Sequence, residues 1–126
     1  MTTSSNKKAY LGIGDHKGGL GHWTLQRITA ILLIPLSLLF LFTFIANFGN
    51  GHAAMLQSYS QPWNAIVAIL FFAIVFYHLA IGLEAVIDDY IPDPHQHKLI
   101  LRLSNMFCRA MSVIAVLSVL KILFST

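Results

Sequence analysis

Three runs of apolar residues, each about as long as a bilayer's hydrocarbon core is thick, dominate this sequence. The first covers residues 28–48, interrupted by Thr29, Pro35, Ser37, Thr43 and Asn47. The second covers residues 63–87, with His78 and Glu84 inside it, and the third covers residues 106–124, with Arg109 and Lys121 near its ends. A helix needs roughly 18–20 apolar residues to cross about 30 Å of hydrocarbon, and each run reaches that length. Membrane β-strands would alternate polar and apolar residues over about ten positions, which none of the runs does. The reading is an all-α membrane protein with helices over about 24–48, 62–90 and 100–124, preceded by a polar segment over 1–22, in a single domain.

Composition agrees. Apolar residues make up 56% of the 126 and charged residues 10%, against about 25% charged in soluble domains. The net charge of +3 comes from eight Lys and Arg scattered at the ends of the apolar runs. Anchoring of helix ends at lipid headgroups accounts for them. A nucleic-acid binder would gather them on one face, so no nucleic-acid partner is expected. The single cysteine, Cys108, allows neither an internal disulfide nor an iron–sulfur cluster held by this chain alone.

Breaks between the runs are clear. Gly49-Asn-Gly51 ends the first, Gln61-Pro62 opens the second, and Pro92-Asp93-Pro94 stops it, because proline cannot continue a helix. Lys7, Lys8, Lys17 and Arg27 precede the first span and Lys98 and Arg102 lie between the second and third, while residues 49–61 carry no Lys or Arg. The positive-inside rule then puts the N-terminus in the cytoplasm and the C-terminus in the periplasm. The first apolar run begins too late and runs too long for a secretory signal, and the N-terminus lacks the repeated Arg of a mitochondrial transit peptide. A bacterial inner membrane is the expected compartment.

Ionisable side chains inside a span are costly and mark function by default. His78 lies near the middle of the second run, and Phe71, His78, Gly82, Ala85 and Asp89 share one narrow helix face at 100° per residue. Two readings stand. The imidazole could bond a neighbouring helix, with Gly82 and Ala85 serving close packing, or the small residues could leave a slot for a tetrapyrrole that the imidazole ligates. Asp88-Asp89-Tyr90 closes the same helix at the negative end of its dipole, where two acids gain nothing from capping. They are a solvated helix end or a proton-linked site, with Tyr90 a hydrogen-bond donor to a carbonyl. Tyr90 lies twelve residues from His78, about 18 Å along a helix. Arg27 is either a topological charge or a partner for a carboxylate. His95 and His97 are weak metal-ligand candidates, and Glu84 is unassigned.

His22-Trp23, Gln26-Arg27-Ile28-Thr29-Ala30 and Pro35-Leu36 at the first span, with His78, Gly82 and Asp89-Tyr90 in the second, resemble the D-type membrane-anchor subunits of succinate dehydrogenase (complex II). The resemblance covers all three spans in length and order, and the third carries no motif of its own. It implies that His78 is one axial ligand of haem b, with the other from a C-type anchor subunit, and that Arg27 helps hold the haem propionates. It implies Tyr90 on ubiquinone with Asp89 in the proton path, and no catalytic turnover by this chain alone. It also implies flavin and iron–sulfur clusters confined to a flavoprotein and an iron–sulfur subunit, in the respiratory chain and tricarboxylic acid cycle. A fumarate reductase anchor and a non-catalytic membrane assembly protein are the competing readings. A small transporter is disfavoured, since no inverted repeat is visible.

The charge pattern can be checked directly. Alkaline phosphatase, which works only outside the cytoplasm, is expected to be active when fused after Thr126. An inactive fusion, with an active cytoplasmic reporter at the same site, overturns the orientation.

Overall fold

The computed structural model describes residues 19–125. Most of the expected polar segment (residues 1–18), with Lys7, Lys8, His16 and Lys17, lies outside the described residues, as does Thr126. Four helices follow one another: α1 (Gly19–Asn47), α2 (His52–Tyr59), α3 (Pro62–Tyr90) and α4 (Pro94–Phe124), with no strand among the described residues. Helices α1, α3 and α4 are long and apolar enough to cross a membrane. At 1.5 Å per residue, the 29 residues of α3 rise about 44 Å, enough to pass the hydrocarbon and both headgroup layers.

The helix ends follow local chemistry. The first apolar run stops at a turn holding Gly49 (φ 93°) and Gly51 (φ 94°), left-handed conformations that side-chain-bearing residues rarely adopt. Helix α3 starts with Pro62 in its first turn, where a missing N–H costs nothing, after an extended Gln61. It ends at Ile91, held extended (φ −117°, ψ 97°) by the proline that follows. Asp93 is likewise extended before Pro94, and its side chain accepts from the His95 N–H at 3.4 Å. Helix α4 therefore begins at Pro94, ahead of the expected position near 100, since the cap and the proline set its start rather than the apolar run. Within α1, Pro35 donates no hydrogen bond to the Ile31 carbonyl. Two lone hydroxyls of α1, Ser37 and Thr43, donate back to carbonyls of the preceding turn, Thr43 to Leu39 at 3.1 Å, which satisfies them without water.

Helix α3 is central. Helices α1 and α4 each pack on it, their backbones apart from each other, and α2 touches all three at the end where α1 stops and α3 starts. Tyr59 of α2, Ala65 and Ala68 of α3, and Val119 of α4 are buried there against Phe40, Met55 and Phe72. The two alanines are fully covered, as close helix packing in lipid requires of small residues. Phe40 stacks on Phe71 with centroids 4.5 Å apart and planes 10° from parallel, and meets Phe72 edge-on at 5.3 Å. The opposite faces carry exposed large apolar side chains such as Ile31, Phe42, Ile45, Leu103 and Ile114, which suits lipid rather than water.

Tyr59 ties α2 to the bundle through its ring, since its hydroxyl oxygen is buried without a hydrogen-bond partner. Tyr59→Ala should lower stability by about 3 kcal/mol or more, while Tyr59→Phe should match or slightly exceed the parent, as read by thermal unfolding of the detergent-solubilised chain. Burial pushes the Tyr59 phenol up from 10.0. Below that pH it is neutral in both states; above it the unfolded chain ionises first, so stability falls as pH rises. Tyr59→Phe should remove that part of the alkaline loss.

Candidate functional site

The face of α3 that carries His78 is turned toward α1. Antiparallel packing brings Phe71 against Phe40, His78 against Thr29, and Gly82 against Gln26. The approach at Gly82 is close but not forbidding: a Cβ there would lie 3.4 Å from the Gln26 amide nitrogen, an ordinary contact with the end of a flexible side chain. The Gln26 side chain lies against Gly82, as the close-packing reading of this face expects. Ala85 and Asp89, farther along the same face, are exposed.

His78 is partly buried and contacts α1 at both ring nitrogens. Its Nδ1 lies 2.7 Å from the Thr29 Oγ1, and its Nε2 lies 3.5 Å from the Gln26 Nε2. Thr29 is 6% exposed. Its hydroxyl also lies 2.7 Å from the Leu25 carbonyl and 3.1 Å from that of Gln26. The Oε1 of Gln26 is buried and accepts no hydrogen bond. A polar pocket of three side chains thus sits inside the apolar layer, one imidazole nitrogen tightly held and the other facing a flexible amide at the limit of hydrogen-bonding distance.

The other candidates lie apart from this pocket. Arg27 is exposed and its guanidinium sits over the Trp23 ring, 5.1 Å from the centroid, a cation–π contact on the surface of α1. Tyr90 is the last residue of α3 and 79% exposed, with Asp89 exposed beside it. Asp88 is the acid that joins two elements. Its Oδ1 lies 2.5 Å from the His97 Nε2, pinning the end of α3 to the first turn of α4. Sequence reasoning missed this pair, although two prolines between the helices signalled a tight reversal. Glu84 lines a groove of about 560 Å³ between α3 and α4, together with Asn105, Cys108, Arg109 and Ser112. No group of three or more potential metal ligands occurs among the described residues, so His95 and His97 belong to none.

Three spans with a partly buried, hydrogen-bonded histidine between α1 and α3 define a small multi-pass membrane protein. Comparison with known proteins narrows this. The sequence profile described as the succinate dehydrogenase/fumarate reductase transmembrane subunit matches residues 1–120. The succinate dehydrogenase hydrophobic membrane anchor subunit of Rickettsia conorii is 30% identical over 75% of this chain and 76% of its own length. That of Rickettsia bellii is 37% identical over 62% of each chain, and that of Paracoccus denitrificans is 29% identical over 67% of this chain and 65% of its own. No solved structure matches the chain. The chain belongs to the succinate dehydrogenase/fumarate reductase transmembrane-subunit family, among its hydrophobic membrane anchors of the bacterial membrane.

Proposed function

We propose that this anchor holds haem b through His78, forms part of a ubiquinone site at the cytoplasmic end of α3, and tethers a flavoprotein and an iron–sulfur subunit to the membrane. A C-type anchor subunit would complete the ligation of the iron. The observation that carries the reading is His78 itself: a mid-span imidazole with one nitrogen anchored and the other facing only a weakly held amide. Iron ligation needs such a nitrogen, unprotonated and reachable. His78 and Arg27 are the residues that would hold the group, with Gln26 displaced from the Nε2 side. Gln26 loses one long contact when it swings aside, and its unpartnered Oε1 gives it no reason to stay. Arg27, exposed beside it, is available to the negatively charged propionates. Bound there, haem b would supply a one-electron redox centre inside the membrane.

At the other end of α3, Tyr90 and Asp89 face outward, where a partner and a quinone can reach them. Reducing a quinone to quinol takes two electrons, delivered from the partner subunits, and two protons. The Tyr90 hydroxyl donates to a quinone carbonyl oxygen as negative charge develops on it, and Asp89 passes protons from the aqueous side. Lys98 and Arg102 near the start of α4 support a cytoplasmic placement of that side. The relatives named above are succinate dehydrogenase subunits, which favours succinate oxidation over fumarate reduction.

Tyr90→Phe keeps the ring and removes the hydroxyl. In the purified complex it should cut succinate–quinone activity by on the order of 10²-fold while succinate oxidation by an artificial acceptor persists; equal quinone activity in mutant and parent removes Tyr90 from the site. His78→Leu inserts into lipid without penalty and should abolish the low-spin b-type haem spectrum, with the subunit still in the membrane. An unaltered spectrum in that variant means that another residue ligates the iron.

A further inference from the structure

We propose that Thr29 is a positioning residue for His78: its hydroxyl oxygen accepts the Nδ1–H and so fixes the imidazole in the tautomer whose Nε2 carries a lone pair. This rests on the haem reading above and goes beyond it, by assigning the residue that presents the ligand.

A threonine hydroxyl has one proton to donate and an oxygen that accepts. In α1 that proton has a partner within its own helix, the Leu25 carbonyl at 2.7 Å, with the Gln26 carbonyl at 3.1 Å as a second acceptor. This back-bond is the usual resting place of a hydroxyl on a membrane helix, where no water competes for it. With the proton committed there, the 2.7 Å contact to His78 Nδ1 is a hydrogen bond only if the ring nitrogen donates. Nδ1 is then protonated and Nε2 is not. The second contact agrees. Gln26 sets its amide nitrogen 3.5 Å from Nε2, at the limit of a hydrogen bond and in the orientation that donates to an unprotonated Nε2. The Thr29 contact is the one that selects the tautomer.

Thr29 also fixes the ring's direction. It is buried, at 6% exposure, and its β-branch limits its rotamers on a helix. The chain Leu25 carbonyl, Thr29 hydroxyl, His78 Nδ1–H therefore links α1 to α3 with little freedom. Metal-bound histidines commonly depend on such a partner at the far nitrogen, which orients the ring and makes the ligating nitrogen more basic. A more basic imidazole stabilises ferric over ferrous iron, so Thr29 holds the haem potential down.

The test uses Thr29→Val, which keeps shape and β-branching, and Thr29→Ser, which keeps the hydroxyl. In the purified complex, Thr29→Val should retain a b-type spectrum but show an upward shift of the haem midpoint potential and a changed low-spin EPR signal, with Thr29→Ser close to the parent. An unchanged potential and EPR signal in Thr29→Val overturns the assignment. A second readout needs neither haem nor a variant at Thr29. In the full chain labelled with 15N-histidine, the His78 resonance, identified by its loss in His78→Leu, should report Nδ1–H. An Nε2–H tautomer there overturns the proposal even where Thr29→Val fails to assemble. A parent complex without a b-type spectrum would instead defeat the haem reading, while the 15N result still judges Thr29.

Discussion

Hydrocarbon offers no hydrogen bonds, so a polar group placed in it must find its partner within the protein. That constraint shapes this subunit most at one point, the contact between Thr29 and His78. An imidazole in the middle of α3 obliges α1 to bring a polar side chain to the same depth. The hydroxyl that does so is itself held by the carbonyl one turn earlier. Two further α1–α3 contacts flank this pair, Phe40 with Phe71 on one side and Gln26 with Gly82 on the other.

The rest of the packing divides along the bundle. At the end covered by α2, aromatic rings and small residues make a dry core around Tyr59, Ala65, Ala68 and Val119. Toward the other end the contacts turn polar, with the His78 pocket on the α1 side of α3 and a groove bearing Glu84 and Arg109 on the α4 side. Rigid apolar contacts thus lie away from the proposed cofactor, and the groups that must accommodate it lie where a flexible Gln26 can yield. The pair between Asp88 and His97 holds the helix ends together beneath Tyr90, so the proposed quinone residues stand on a fixed corner rather than a loose loop.

How much of this was legible in the sequence follows from what each signal depends on. The three spans were readable because length and apolarity decide them locally. The stop at Ile91 was readable because Pro92 and Pro94 allow nothing else. The start of α4 was not: its first turn, Pro94-His-Gln-His97, is polar, and apolarity marks where a helix enters lipid, not where it begins. Helix α2 reads as part of a loop in the sequence, because eight residues between Gly51 and Ser60 are too few to show a period. The face of α3 carrying His78 and Gly82 was readable from the 100° repeat. What stood opposite it was not, since Thr29 and His78 are 49 residues apart and one sequence carries no information on interhelix register. The sequence therefore left both a slot and close packing open beside Gly82, where the Gln26 side chain lies. Arg27 shows the same limit, as its contact with Trp23 depends on rotamers that sequence does not state.

In the proposed role, α1 and α3 together present a ligating nitrogen to haem iron within the bilayer. A reduced-minus-oxidised optical spectrum of the purified complex with its partner subunits tests this most directly. Ligation by His78 requires the sharp bands of a six-coordinate, low-spin b-type haem, one per copy of this chain. A fully assembled, active complex whose difference spectrum shows no b-type bands would contradict it.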